Sequence, residues 1–343
     1  MKLSNSLDSK KYFLVDTRTF LLLLVLIIAN IFVLLISIGV GEYFIAPFDV
    51  LKTIFGMGNP DYDFIVYSLR LPRALVAFLV GVGLAVSGTI LQGITRNPLA
   101  SPGVIGINAG ASLAAVIVIV LLPSLPLSLL PFAAFGGALL AALVTYIFGW
   151  KGGTSPIRLI LVGIGVSTLA NAFLTVIIMF GNINLVTQAT IWMTGSVYAR
   201  SWEHLLPLIS WLIVLLPITF IFYQNLNILH LGDNIAKGLG IRLEWDRGIL
   251  ILLSVALAGV SVATAGAVNF VGLMAPHITK QLVGTTNHGI LLPASALMGG
   301  LIVVTSDLIG RTVLTPYEIP VGVITAIIGA PYLLYLLFGR KNL

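Results

Sequence analysis

Residues 20–40 read FLLLLVLIIANIFVLLISIGV and contain no charged side chain. A helix needs about 20 consecutive apolar residues to cross the hydrocarbon core of a bilayer. The stretch is too long for the apolar part of a signal peptide, and no A-x-A cleavage site closes it. It therefore predicts a retained first membrane span, preceded by a cytoplasmic N-terminal segment, residues 1–19, that carries Lys2, Lys10, Lys11 and Arg18.

The composition of the whole chain points the same way. Of its 343 residues 58% are hydrophobic and 9% are charged, and the mean hydropathy is +1.09. Soluble domains carry about 25% charged residues. The figures exclude a soluble, disordered or coiled-coil protein, and the absence of cysteine excludes thiol chemistry and a disulfide scaffold. The net charge of +6 fits basic cytoplasmic loops and not nucleic-acid binding.

Nine further apolar stretches follow, at 72–94, 103–122, 129–149, 157–181, 205–223, 247–268, 270–284, 289–309 and 320–338. The weakest is 270–284, which contains Pro276, His277 and Lys280. With ten spans and a cytoplasmic N-terminus, 13 of the 18 Lys and Arg residues lie inside; without 270–284 the division is 11 against 7. We predict an all-α membrane protein with ten transmembrane helices and both termini in the cytoplasm, residues 20–343 forming one domain.

Catalytic motifs are missing from the sequence. It contains no G-x-x-x-x-G-K-[ST], H-E-x-x-H or G-x-S-x-G, so we predict no catalytic residue, no metal ligand and no enzyme activity in this chain. Asp307 and His277 are the candidates for a proton- or ion-coupled secondary transporter. Asp307 stands four residues before Arg311, however, and this spacing favours an ion pair within one helix.

The sequence Arg70-Leu71-Pro72-Arg73 lies at the predicted outer mouth of the second span. Pro72 suits the first turn of a helix, where its missing N–H has no partner. Two arginines outside the membrane break the positive-inside rule and crowd the positive end of a helix dipole. They reach either lipid phosphates or the carboxylates of a docking partner, and Arg311 could join them.

Residues 229–245, LHLGDNIAKGLGIRLEW, form a predicted cytoplasmic connection. Gly232 opens a short helical turn, and Gly238 and Gly240 close it. The segment is either a plain solvated connector or an amphipathic helix that fits the groove of a soluble partner. Two other motifs have ordinary structural explanations: the turn at 96–103 (RNPLASPG) and the helix cap Thr154-Ser155-Pro156.

Taken together, these segments resemble the permease family of ABC importers for iron–siderophores, haem and cobalamin. The matching stretches run through the whole chain in order: RLPR (70–73), SGTILQGITRNPLASPGVIGINAGA (87–111), WMTGS (192–196), LGDNIAKGLG (231–240), AGAVNFVGLMAPHI (265–278) and SDLIGRTVLTPYEIPVGVITAIIGAPYLLYLL (306–337). The resemblance implies a type II ABC importer permease in a bacterial cytoplasmic membrane. A second permease subunit, two ATP-binding subunits, an extracellular substrate-binding protein and membrane lipid are the implied partners.

The resemblance also implies roles for particular residues. Arg70, Arg73 and Arg311 match the family's docking arginines, and Thr154 and Ser155 match its cytoplasmic gate. Its ATPase-coupling loop matches residues 225–246, in particular Leu229, Leu231, Gly232, Ala236, Gly238, Leu239 and Gly240. ATP and magnesium would bind the partner subunits, and this chain would hold no cofactor. The expected cargo is an iron(III)–siderophore, with haem, cobalamin or an ion-coupled substrate as alternatives.

Overall fold

The computed structural model describes residues 17–41, 43–151 and 153–339. Most of the predicted cytoplasmic N-terminal segment, with Lys2, Lys10 and Lys11, lies outside these residues. The described part contains fifteen α-helices: α1 (Thr17–Gly39), α2 (Pro47–Ile54), α3 (Pro60–Asp63), α4 (Leu71–Thr95), α5 (Ile107–Val116), α6 (Leu130–Gly149), α7 (Pro156–Phe180), α8 (Ile183–Met193), α9 (Trp202–Ile221), α10 (Tyr223–His230), α11 (Asp233–Gly238), α12 (Leu243–Ala265), α13 (Val271–Val283), α14 (His288–Thr312) and α15 (Val321–Gly339).

The predicted all-α membrane architecture is confirmed. Among the described residues, seven helical segments are long and apolar enough to cross a membrane; they contain α1, α4, α6, α7, α9, α12 and α14. Two shorter apolar helices, at Ile107–Leu121 and Val321–Leu336, coincide with two more predicted spans. The tenth predicted span is α13, a separate helix of 13 residues. The fold is consistent with ten crossings, a count that stays a prediction.

Two helices form the centre of the molecule. In α4 and α12, 83% of the most apolar window is buried inside the chain, against 17–28% in α1, α6, α7 and α9. Glycine allows α4 to approach its neighbours closely: a side chain at Gly81 would clash with the backbone of Gly299 on α14, and the reverse holds for Gly299. Small residues take this role in membrane helices because the lipid supplies no hydrophobic drive for association.

The predicted eighth span is weak in the sequence because the helix is broken there. α12 ends at Ala265, and α13 begins only after Gly266 and Phe270, which adopt φ angles of 73° and 67°. Thirteen residues extend about 20 Å, less than the thickness of the hydrocarbon core. The carbonyl freed at Ala265 accepts a hydrogen bond from the Ser196 N–H at 2.7 Å, as broken membrane helices require.

The longer polar connections between the predicted spans, at 41–71, 182–204 and 224–246, contain short helices of their own. Proline occupies the first turn of both α2 and α3. The side-chain oxygen of Asn59 accepts from the Asp61 N–H at 3.1 Å, and that of Asn182 accepts from the Asn184 N–H at 3.0 Å. These caps satisfy backbone donors that a helix leaves free at its start.

Candidate functional site

The three predicted docking arginines lie together at the outer end of α1. Arg70 comes directly before α4, and Pro72 occupies the first turn of that helix, as predicted. Arg70 Nη1 donates to the carbonyls of Ile38 and Gly39, at 2.9 Å each, and its Nη2 donates to the Tyr43 carbonyl at 2.6 Å. The guanidinium therefore caps the C-terminal end of α1, where free carbonyls and the helix dipole favour a cation.

Arg73 is held by two carboxylates. Its Nη2 donates to Asp307 Oδ1 at 2.7 Å and to Glu318 Oε2 at 2.8 Å, and its Nη1 donates to Glu318 Oε1 at 3.0 Å. Asp307 is only 4% exposed, whereas Glu318 is 32% exposed. Glu318 was missed by sequence reasoning because 245 residues separate it from Arg73.

Arg311 completes the group. Its Nη2 donates to the carbonyl and the hydroxyl of Ser37, on the last turns of α1, and its Nε lies 3.9 Å from Asp307 Oδ2. The predicted ion pair between Asp307 and Arg311 is therefore present, but Asp307 contacts Arg73 more closely. These bonds direct the three guanidinium groups into the protein. In this arrangement the arginines do not extend towards lipid phosphates.

A cavity of about 640 Å³ opens beside Arg73 at the outer end. Its polar and aromatic lining comprises Gln188, Trp192, Ser196, Tyr198, Arg200, His204, Tyr317 and Glu318. The Arg73 guanidinium lies 5.8 Å from the centre of the Tyr198 ring. Burial lowers the pKa of Arg200. The cavity thus joins cationic, aromatic and acidic groups at the predicted outer face.

At the cytoplasmic end, α11 forms the predicted short helix. Gly232, with φ of 111°, precedes it, and Gly240, with φ of 82°, follows Gly238 and Leu239. Of the predicted coupling residues, Leu229 and Ala236 are buried in the hydrophobic core and anchor the segment to the membrane helices. Leu231 and Leu239 are exposed, as is Ile235 between them, with 57%, 59% and 53% of each side chain accessible.

The predicted gate residues occupy the turn between α6 and α7. Ser155 is the N-cap residue of α7 and Pro156 its first residue, as predicted, although the Ser155 side chain makes no cap hydrogen bond. Thr154 is buried, and its N–H and hydroxyl donate to Glu244 Oε2 at 3.0 and 2.7 Å. Arg247 Nη1 donates to Thr154 Oγ1 at 3.0 Å. Glu244 and Arg247 were not among the residues predicted from the sequence.

One face of α7 is polar although it faces away from the rest of the chain. Thr168, Asn171 and Thr175 are all exposed, and their spacing places them on one side of this 25-residue helix. The two threonine hydroxyls donate to carbonyls of α7 itself, at 2.9 and 2.8 Å. An amide that faced lipid would lack hydrogen-bond partners, so this face meets protein or water.

The two candidate residues for ion coupling have internal contacts. Asp307 lies between Arg73 and Arg311. His277 is buried, its Nε2 is 3.0 Å from the Gln281 amide nitrogen, and its ring lies 6.0 Å from that of Tyr332. The contacts of Asp307 are those of a carboxylate held between two arginines.

Apolar helices around a buried α4 and α12, a charged mouth at one end and exposed apolar side chains in and beside α11 at the other define a multi-pass membrane protein. Residues 25–339 match the model of the FecCD transport family, and the chain belongs to this family. It is 46% identical to a protein of Bacillus subtilis (strain 168) described as a siderophore transport system permease, over 95% of this chain and 97% of that one. A second relative, the Fe(3+)-citrate import system permease protein YfmE of the same strain, is 44% identical and covers 92% and 95%.

A solved structure has the same fold. A protein described as a metal-chelate type ABC transporter, in an inward-facing conformation, superposes with a TM-score of 0.84 at 30% identity. The match covers 92% of this chain and 98% of the other. The predicted resemblance and the predicted class, a permease of the ABC importer type, are both confirmed, as is the multi-pass membrane location.

Proposed function

We propose that this chain is the permease subunit of an ATP-driven importer that carries an iron(III)–siderophore across the bacterial cytoplasmic membrane. It works with a second permease subunit, two ATP-binding subunits that hold ATP and magnesium, and an extracellular substrate-binding protein. The substrates named for the relatives, a siderophore and iron(III) citrate, support a chelated ferric ion as cargo.

Three exposed apolar residues in and beside α11 carry the proposal that ATP-binding subunits drive transport. Leu231, Ile235 and Leu239 are spaced four residues apart and face the side that the charge distribution assigns to the cytoplasm. Exposure of three large apolar side chains to water is unfavourable, and a groove on a soluble partner would cover them. Anchoring by the buried Leu229 and Ala236 holds this surface in place.

The double substitution Ile235→Glu and Leu239→Glu is expected to abolish co-purification of the ATP-binding subunits, because it places two charges in the apolar contact. Asn234→Glu is the matched control, since Asn234 is exposed on the same helix but off the apolar row. Co-purification from detergent extracts measures the effect, and size-exclusion chromatography checks that the permease is folded. Normal recovery of the ATPase with the double variant would contradict this contact.

The polar face of α7 supports a second permease subunit. The turn before α5 packs against Gly163 of α7, and Asn108 at the start of α5 donates to Asn269 Oδ1 at 2.8 Å in the break between α12 and α13. Amide and hydroxyl groups thus occur both on α7 and at the start of α5, two helices that pack against each other. Two subunits that brought these faces together would enclose an uncharged polar path, which suits a bulky chelate that must not be held tightly.

Docking of the binding protein requires an exchange of partners at Arg73. The guanidinium is already paired with Glu318, so an incoming carboxylate would compete with the Glu318 side chain. Glu318 is the more exposed of the two partners and the easier to displace, while Asp307 keeps Arg73 in position. Arg70 and Arg311 hold the end of α1 beside this point.

Glu318→Gln is therefore expected to strengthen docking of the binding protein about two- to fivefold, the equivalent of one partly exposed ion pair. Glu203→Gln, on the exposed outer start of α9, is the matched control. The measurement is the dissociation constant of the binding protein for the permease in nanodiscs. Unchanged or weaker binding by Glu318→Gln would show that Arg73 does not receive a carboxylate of the partner.

A further inference from the structure

The side chain of Arg247 is the largest charged group buried at the cytoplasmic end of the permease. It lies in the first turns of α12 and is 1% exposed. Its Nη2 donates to Asp233 Oδ1 at 2.8 Å, and its Nη1 donates to Thr154 Oγ1 at 3.0 Å. A single guanidinium therefore bonds the first residue of α11 and the turn that begins α7.

These contacts join segments that are far apart in the sequence. Fourteen residues separate Arg247 from Asp233, and 93 separate it from Thr154. Glu244 also accepts from Thr154 and lies 4.0 Å from Arg247, and Arg96 after α4 lies 3.5 Å from Asp233. Burial of an arginine is costly unless its donors are satisfied. Nη1 and Nη2 bond the two segments that Arg247 joins, whereas the buried Nε has no partner among the described residues.

The backbone joins α11 to α10 through Leu231 and Gly232 and to α12 through residues 239–242. The turn before α7 is not continuous with α11 in the chain. The bonds that Arg247 makes to Asp233 and Thr154 therefore give a displacement of α11 a direct route to that turn.

We infer that Arg247 is a positioning residue that couples α11 to the start of α7. The inference rests on the proposed function, in which an ATP-binding subunit displaces α11. When α11 moves, Asp233 pulls on the guanidinium, and Thr154 moves with it because both bonds share one rigid planar group. The start of α7, and with it the polar face at Thr168 and Asn171, therefore moves when the ATP-binding subunit displaces α11.

Transport by the assembled complex tests this role. Arg247→Met is expected to keep the ATP-binding subunits bound and hydrolysing ATP, while uptake per ATP hydrolysed falls about tenfold. Arg247→Lys keeps the charge but not the planar fork and should lie between Arg247→Met and the unmodified chain. Lys52→Met, at a partly exposed cation on α2 that pairs with Asp49, is the control and should match the unmodified chain.

Uptake per ATP unchanged in Arg247→Met would overturn the inference. Failure of the unmodified chain to bind ATP-binding subunits would instead refute the proposed function, so the two failures are distinguishable. If Arg247→Met does not fold, Asp233→Asn replaces it, because this change removes the charge of the partner and leaves the arginine in place; unchanged coupling there overturns the inference equally.

A second measurement needs no partner. The sequence contains no cysteine, so Lys151→Cys beside the gate turn and Lys237→Cys on α11 can carry two spin labels without background. In the isolated permease we expect a narrow distance distribution between the labels, and a broad one when Arg247→Met is added. Equal widths in the two proteins would show that Arg247 does not hold the segments together.

Discussion

Replacement of Arg73 by methionine is expected to lower the free energy of unfolding by about 3 kcal/mol, as removal of one partner from a buried ion pair does. The substitution leaves Asp307, 4% exposed, without its three hydrogen bonds from Arg73, at 2.7, 3.2 and 3.3 Å. Arg311 compensates for little of this loss because its Nε is 3.9 Å from Asp307. A buried carboxylate without close partners is the main source of the cost.

Tryptophan fluorescence during unfolding by an ionic detergent in mixed micelles measures the effect. Lys52→Met is the matched control: Lys52 is also a paired basic residue, but its side chain is 44% exposed and lies 3.8 Å from its partner Asp49, so its loss should change stability by less than about 0.5 kcal/mol. Adding Asp307→Asn to Arg73→Met should restore much of the lost stability. A variant Arg73→Met as stable as the unmodified chain would contradict the described pairing.

The pairing of Arg73 also changes how docking is best tested. Reversal of Arg70 and Arg73 to glutamate would be the direct test of docking if both side chains pointed towards a partner protein. In the structure this reversal would place new carboxylates next to Asp307 and Glu318 and would remove the cap of α1. Loss of docking would then be inseparable from loss of folding, so Glu318→Gln is the more specific probe.

The membrane architecture follows from hydropathy because every span must satisfy its own backbone in lipid. Residues 20–40 and 72–94 correspond closely to α1 and α4. The stretch 270–284 is ambiguous because α13 is short and lies among protein neighbours, where Pro276 and His277 are buried. Charge asymmetry, and not hydropathy, favoured its inclusion as a tenth span, and the structure has a separate helix there.

Apart from α11, the short helices in the connections were not predicted, because their signals are local caps and not periodic patterns. Pro47 begins α2, and the pair Asn59-Pro60 begins α3. A hydropathy scan averages over many residues and does not detect such single-residue signals. A search for proline preceded by a capping residue would have found α3.

The arginines and the α11 segment were recognisable from the sequence because they are anomalies: cations outside, and apolar residues in a polar connection. Their partners were not, because Glu318 and Arg247 contact residues 245 and 93 positions away. Each of these partners is an ordinary charged residue at the end of a predicted span. The three-dimensional fold alone shows that they complete the outer mouth and the cytoplasmic turn.

The direction of side chains on α11 also required the structure. Leu229 and Ala236 belong to the segment predicted to contact the ATPase, yet they are buried in the permease, and Ile235 is exposed instead. A six-residue helix is too short for its periodicity to reveal which face is outward.

The largest expected effect is the loss of uptake when the partner subunits cannot hydrolyse ATP. A chain driven by partner subunits should import nothing when those subunits cannot hydrolyse ATP, because Asp307, the best candidate for ion coupling, is held by Arg73 and Arg311. In proteoliposomes with enclosed ATP, we expect uptake of an iron(III)–siderophore by the complete complex to survive a protonophore. Uptake should fall to background with a catalytically inactive ATP-binding subunit. Uptake that persists with the inactive subunit and collapses with the protonophore would contradict an ATP-driven permease.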